Sequence, residues 1–271
     1  MTVIIPKHEL GQHWLINPAA LISIANLTTN KDKPLDLVDV VEIGPGQGNL
    51  TDQLLLNSAI SSIVAIEIDN QLVSFLRDKY NGEPKLKIIL GDIRKYNFNL
   101  FPANYVITAN IPYYLTNYLL RLLAETNNKP LQAVLLIQKE VATRLIQQAG
   151  NLSTLAIFIQ NYYQISYELD VNRLEFDPVP KVDSAVVKLI KRPLPLVDCS
   201  IEPKFNRLVR IAFAQKRKTI TNNLSSGLKI TKKEIEEILN LLKFNLLLRP
   251  QQLSIDDWQK LTIMLINKNM L

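Results

Sequence analysis

The sequence predicts an α/β protein in which a parallel sheet with helices on both faces is followed by a small all-helical domain. Three observations predict it. Short β-branched runs alternate with helix-spaced segments from Asp36 to Ile137. Lys191-Arg192-Pro193-Leu194-Pro195 interrupts both periodicities, and the remainder of the chain has helical spacing throughout.

The first run, Asp36 to Ile43 (DLVDVVEI), ends at Gly44-Pro45-Gly46-Gln47-Gly48, and Asn49 to Asn57 then has the apolar spacing of a helix. The pattern repeats as strand Ser62 to Ile66, helix Gln71 to Lys79, strand Leu86 to Leu90, strand Tyr105 to Ala109, helix Leu115 to Glu125 and strand Ala133 to Ile137. Helices over Lys139 to Gln148 and Ser153 to Asn161 come next. Two extended stretches, Tyr163 to Leu169 and Ser184 to Ile190, then suit an antiparallel hairpin at the sheet's edge. Prolines two residues apart remove backbone donors, so the boundary is set there, with a first domain over residues 1–192 and a second over 193–271. The second contains helices Pro203 to Ala214, Thr219 to Ser225, Thr231 to Leu241 and Ile255 to Asn267, with Thr231 and Ser254 placed as N-caps.

At 271 residues with 47% hydrophobic and 21% charged, the chain is long enough to bury a full core. Its longest apolar runs, Ala133 to Ile137 and Leu155 to Ile159, fall far short of the roughly 20 residues of a membrane helix, so a soluble protein is expected. The N-terminus shows no secretory signal, which makes the cytoplasm the expected location. One cysteine, Cys199, and two histidines, His8 and His13, predict neither an internal disulfide nor a metal site.

The net charge of +6 is unevenly spread. Residues 1–180 hold 14 Lys+Arg against 17 Asp+Glu, and residues 181–271 hold 17 against 8. Between Lys204 and Lys218 lie Lys204, Arg207, Arg210, Lys216, Arg217 and Lys218 with no acidic residue, a pattern suited to a phosphate backbone and equally to a solvated helix face.

The glycine turn admits three readings: a dinucleotide pyrophosphate site, an S-adenosylmethionine site, or a tight turn without ligand. Pro45 removes an N–H that a pyrophosphate would use, and Glu42 just before the turn suits a cationic cofactor. Glu67, ending the next strand, is placed to accept ribose hydroxyls. Asp92, ending the third, either meets an adenine amine or caps the strand.

Asn110-Ile111-Pro112-Tyr113 is the most informative tetrapeptide. An exocyclic adenine amine is a poor nucleophile, because its lone pair is delocalised into the ring. The Asn110 side-chain oxygen and the Ile111 carbonyl can accept its hydrogens and favour attack. Pro112 stiffens the turn, and Tyr113 offers a flat face to a splayed-out base.

With these residues the chain resembles the ribosomal RNA adenine N6,N6-dimethyltransferase family over nearly its whole length. Family-like blocks are Gly11 to Leu15 (GQHWL), Gln138 to Val141 (QKEV), Phe176 to Ser184 (FDPVPKVDS) and Phe213 to Leu224 (FAQKRKTITNNL). The resemblance implies a Rossmann-like class I methyltransferase sheet that uses S-adenosyl-L-methionine. It further implies dimethylation of two adjacent adenosines near the 3′ end of small-subunit (16S) rRNA, on the immature small ribosomal subunit; a monomer is the default expectation.

By the same resemblance His13, Leu15, Gly44, Gly46, Glu67, Asp92 and Asn110 contact the cofactor, and Phe176 stacks on the target base opposite Tyr113. Lys216, Arg217, Lys218 and Arg210 grip rRNA phosphates. The family most often has Asn where His13 stands and Phe where Trp14 stands, and its N-terminal arm is usually more basic. Other readings are the related large-subunit enzymes of macrolide resistance, a non-catalytic assembly or transcription factor of the same fold, and an NAD-dependent oxidoreductase. The blocks at Phe176 and Phe213 argue against the first, intact Asn110 and Tyr113 against the second, and the lack of a hydride-transfer site against the third.

Overall fold

The computed structural model describes residues 5–7, 10–29 and 37–271. His8 and Asp36, the predicted start of the first strand, lie outside the described residues. Contacts divide the chain into two units, Met1–Ala142 with Gln164–Lys191, and Thr143–Tyr163 with Arg192–Leu271.

In the first unit, strands β2 (Val38–Ile43), β3 (Ile60–Glu67), β4 (Leu86–Leu90), β5 (Val106–Asn110), β6 (Gln132–Gln138), β7 (Tyr163–Val171) and β9 (Ser184–Lys191) form one sheet in the order β4-β3-β2-β5-β6-β9-β7. The first five are parallel, and β9 runs antiparallel to β6. The two predicted edge strands are neighbours, with β9 inside and β7 at the edge. Two short strands, β1 (Trp14–Leu15) and β8 (Phe176–Asp177), pair antiparallel, Leu15 opposite Phe176. Neither was predicted, since two residues carry no period.

Helix α1 (Pro18–Thr28) was also missed, because its apolar residues run round the helix rather than along one stripe. The signal that was present is its start: Asn17 accepts from the Ala19 and Ala20 N–H groups, and Pro18 is the first helical residue. Helices α1 and α2 (Asn49–Leu55) pack Ile24, Leu50 and Leu54 against Val40, Ile63 and Val134. Val41 and Ile43, of opposite parity on β2, are buried too, as both faces of a central parallel strand should be. Helices α3 (Asn70–Lys79) and α4 (Tyr113–Glu125) bury Leu72, Leu76, Leu119 and Leu123.

The second unit starts again at Arg192, beside the predicted division, and also takes in Thr143–Tyr163, a segment expected in the first domain. Helix α5 (Lys139–Leu145) crosses into it, and α6 (Thr154–Tyr162) belongs to it, because Ala156 and Ile157 share one apolar cluster with Phe205, Leu208, Leu239 and Trp258. The other helices are α7 (Glu202–Ala212), α8 (Ile220–Leu228), α9 (Lys232–Leu241) and α10 (Ile255–Asn267). Thr231 and Ser254 cap α9 and α10 with reciprocal side-chain bonds from Glu234 and Asp257.

Parallel register decides where function can sit. Ile43 pairs with Ile66 and Ala109, and Glu67 with Leu90, so Gly44, Glu67, Gly91 and Asn110 emerge together at the carboxyl edge. Strand order reverses beside β2, and such a switch point leaves a crevice.

Candidate cofactor and adenine site

That crevice is an open cleft lined by the glycine turn, Glu67, Asp92, Asn110 to Tyr113, and His13 to Leu15 from the N-terminal segment. The glycine N–H groups of the turn are already used. Gly44 N–H donates to the Ile66 carbonyl at 2.9 Å, Gly46 N–H to Glu67 Oε2 at 3.2 Å and Gly48 N–H to the Pro45 carbonyl at 2.9 Å. Pro45 has none, so these four positions offer a phosphate no backbone donor, which weighs against the pyrophosphate reading. Gly44 and Gly46 have φ of 70° and 60°, and a Cβ on Gly46 would lie 2.8 Å from the Trp14 indole.

The cleft suits a cation. Glu42 and Glu67 line it, both buried, and among the described lining residues Arg94 is the only Lys or Arg. Burial pushes the Glu42 carboxyl up to about 7, although Thr51 Oγ1 donates to its Oε2 at 2.7 Å. Burial also raises Glu67, whose Oε1 accepts from the Ile68 and Asp69 N–H groups at 2.9 and 3.0 Å. Its Oε2, with one backbone bond, keeps a lone pair for a hydroxyl. A sulfonium cofactor with a free amino group fits these acceptors.

Asn110 ends β5, and its side chain makes no hydrogen bond to any described residue, so its amide is available to a ligand. Ile111 is buried, and Pro112 precedes the first turn of α4. The Tyr113 phenol shares a 2.8 Å hydrogen bond with Ser184 Oγ, the first residue of β9. The His13 ring is stacked on Tyr113, with centroids 6.2 Å apart and planes 20° from parallel. Phe176 lines the same cleft but is only 2% exposed and packs in the apolar cluster with Leu15 and Val171.

The ribosomal RNA adenine dimethylase family model matches residues 6–265. The chain belongs to that family. It is 35% identical over 260 residues to ribosomal RNA small subunit methyltransferase A of Dehalococcoides mccartyi, covering 95% of this chain and 87% of that one. With the protein of the same name from Prochlorococcus marinus the identity is 38% over 267 residues, 94% of this chain and 93% of the other. A crystal structure of a dimethyladenosine transferase from Plasmodium falciparum superposes with a TM-score of 0.79 at 30% identity, covering 94% and 98% of the two chains. The 23S rRNA methyltransferase ErmE shares the fold, at a TM-score of 0.74 and 24% identity over 93% and 99%.

This dimethylase is therefore an S-adenosylmethionine-dependent rRNA adenine methyltransferase with a class I α/β sheet. Its Asp92, just beyond β4, caps the turn Ile93–Lys95, and Arg94 bonds it through Nε and Nη2 at 2.9 and 2.7 Å. Those bonds, over a smaller opposing effect of burial, hold the Asp92 carboxyl below the usual range.

Sequence reasoning missed the parts that brace the dimethylase site. Lys7 Nζ and Gln12 Nε2 donate to the two oxygens of buried Asp69 at 2.7 and 3.1 Å, and Asp69 N–H donates to Glu67. The N-terminal segment is thereby clasped beside the cleft. Behind the glycine turn, the Tyr80 hydroxyl lies 2.9 Å from the Gly48 carbonyl and 2.7 Å from an Asp52 carboxylate oxygen, with one proton to share between the two acceptors. The available signal for the clasp was Glu67-Ile68-Asp69, a second carboxylate two residues beyond the strand end.

In the second unit Lys204, Arg207, Arg210, Lys216, Arg217 and Lys218 are all exposed, the last three in the turn between α7 and α8. The Arg210 guanidinium lies 5.4 Å over the Phe158 ring, which holds it at the surface. Among the described residues no helix is long and apolar enough to cross a membrane, and no cluster of three metal-ligating side chains occurs.

Proposed function

We propose that the protein dimethylates N6 of two adjacent adenosines near the 3′ end of small-subunit rRNA, acting as a monomer on the immature subunit in the cytoplasm. The observation that carries this reading is the Asn110 amide, which makes no side-chain hydrogen bond to a described residue and lines the same acidic cleft as Tyr113, beside a turn whose glycine amides are already bonded.

When bound, S-adenosylmethionine supplies an electrophilic methyl group. Gly44, Gly46, Glu67, Asn110, His13 and Leu15 are the residues that would hold it, with Asp92 once Arg94 yields a bond. Tyr113 presents its ring to the flipped base, worth roughly 1 to 3 kcal/mol per stacked base. Phe176 forms part of the apolar wall of the same cleft.

Asn110 Oδ1 and the Ile111 carbonyl accept the two hydrogens of N6. As positive charge develops on that nitrogen, both acceptors hold its hydrogens more strongly than in the ground state, which is where catalysis arises. As the nitrogen–carbon bond forms the carbon–sulfur bond breaks, and the cationic N6 then releases one proton to water; one hydrogen remains, and one acceptor suffices for the second transfer. Pro112 keeps the acceptors aligned, so positioning replaces a strong general base. The basic turn, with Arg210, grips rRNA phosphates.

Incubation with labelled S-adenosylmethionine and immature small subunits, followed by nuclease digestion and mass spectrometry, tests the reading. N6,N6-Dimethyladenosine is expected from the wild type and not from Asn110→Ala, whose melting temperature should match wild type. Wild-type turnover by that variant would contradict the mechanism.

A further inference from the structure

We propose that the exposed face of α4, with the turn Ile93–Lys95 beside it, is a landing strip for the single-stranded nucleotides that flank the target adenosine. Tyr114 and Tyr118 stack on their bases, and Arg94, Lys95 and Arg121 attract their phosphates. The proposal rests on the RNA substrate of the function proposed above and adds an RNA contact within the first unit, apart in sequence from the basic turn of the second.

Four observations lead to it. Tyr114 and Tyr118 are 56% and 40% exposed, although both sit on a well-packed helix. With exposed Arg121 they stand at i, i+4 and i+7 of α4, so all three share one face, while Leu119 and Leu123 are buried on the other. Both rings are anchored: the Tyr118 hydroxyl donates to the Arg94 carbonyl at 2.9 Å, and a Cβ on Gly11 would lie 3.6 Å from two Tyr114 ring carbons. The Arg94 guanidinium, bonded to Asp92, lies within electrostatic reach of both phenols. From Ile93 to Ala124 the chain carries Arg94, Lys95 and Arg121 and no acidic residue, although residues 1–180 as a whole have an excess of acid.

Continuity with the cleft identifies the occupant. Tyr114 and Arg94 also line that cleft, so the strip begins where the Asn110 to Tyr113 segment ends and runs along α4. A base drawn into the cleft leaves its neighbours outside on the same strand, each having lost a stacking partner. Fixed, open rings offer those bases a new face whatever their sequence, and interleaved cations match the phosphates between them. A run of cations with no carboxylate among them favours a polyanion over a protein partner.

The test uses the full-length protein and a short single-stranded RNA with two adjacent adenosines, carrying the fluorescent base 2-aminopurine on either side of the pair in turn. Thermal melting checks that each variant is folded, and sedimentation its oligomeric state. The wild type is expected to quench the probe on at least one side. Tyr114→Ala should lose that quenching and bind the RNA about tenfold more weakly, the loss of one base–ring stack, whereas Tyr114→Phe should keep both. Arg121→Gln should keep the quenching and lower the slope of log affinity against log salt by about 0.7. Wild-type quenching and affinity in Tyr114→Ala overturn the proposal, as does a wild type that quenches the probe on neither side. So does a Tyr114→Ala variant whose oligomeric state changes while its RNA affinity does not, since the face would then hold a second copy of the chain. Quenching by a wild type that forms no N6-methylated adenosine on immature subunits would sink the proposed reaction and leave the strip standing.

Discussion

The Tyr113 phenol and the Ser184 hydroxyl share a hydrogen bond of 2.8 Å that ties the first turn of α4 to the first residue of β9. Ser184 is fully buried, so its hydroxyl has no water to turn to. Tyr113→Phe keeps the stacking face and removes the anchor. It should lower stability by about 1 kcal/mol, the net value of one such bond, while kcat falls no more than a few-fold. Tyr113→Ala removes the face and should lose activity by about 10-fold or more. Parallel denaturant titrations and methylation assays separate the two, and equal activity loss in both variants would show that the hydroxyl, not the ring, matters.

Glu42 gives the enzyme a pH dependence. Its carboxyl is pushed up to about 7, chiefly by burial, from an ordinary 4.5. Between those values the unfolded chain releases a proton that the folded chain keeps, so this group's contribution to stability falls as pH rises and levels off above 7. Relative to wild type, Glu42→Gln should therefore gain about 3 kcal/mol between pH 4.5 and 8, read from denaturant titrations at both ends. A cationic cofactor favours the ionised carboxylate, so S-adenosylmethionine should bind more tightly at pH 8 than at pH 6. Calorimetry on Glu42→Gln should find that dependence flattened.

How much of this was legible in the sequence depends on the physical origin of each part. The alternation from Val38 to Gln138 marks strands and helices because burial imposes periods of 2.0 and 3.6. Glycines and Asn110 stand at strand ends, where register brings them together without any long-range information. What could not be read are features made by contacts distant in sequence: the pairing of Leu15 with Phe176, the stacking of His13 on Tyr113, and the reach of Lys7 to Asp69. The segment Thr143–Tyr163 was allotted to the first domain for the same reason, since the partner of α6, the Phe205 and Trp258 cluster, lies far down the chain.

The Lys7 and Gln12 clasp on Asp69 predicts a role in holding the cofactor. Burial would raise the Asp69 carboxyl, but the bonds from Lys7, Gln12 and the Gln71 N–H outweigh it and keep the group below its ordinary range, hence ionised at neutral pH. The Lys7 side chain is one-third exposed, so the pair contributes roughly 0.5 to 1 kcal/mol. Lys7→Ala should therefore raise the KM for S-adenosylmethionine about two- to fivefold, leaving kcat nearly unchanged. A faster cofactor off-rate in stopped flow would accompany it, and an unaltered KM would reduce the clasp to a surface ion pair.

Lys216, Arg217 and Lys218 form an exposed basic turn in the helical unit, far in sequence from the cleft residues. If all three neutralise rRNA phosphates, each contributes about 0.7 to 0.9 to the slope of log affinity against log salt. Replacing the three by alanine should then lower that slope by about 2 to 3 and weaken RNA binding most at low salt. Because all three side chains are exposed, the substitution should leave stability nearly unchanged. Binding of S-adenosylmethionine, whose proposed cleft is lined by other residues, should also be unaffected. An unchanged salt slope in the triple variant would move the phosphate contacts elsewhere, to Lys204, Arg207 and Arg210 on the face of α7.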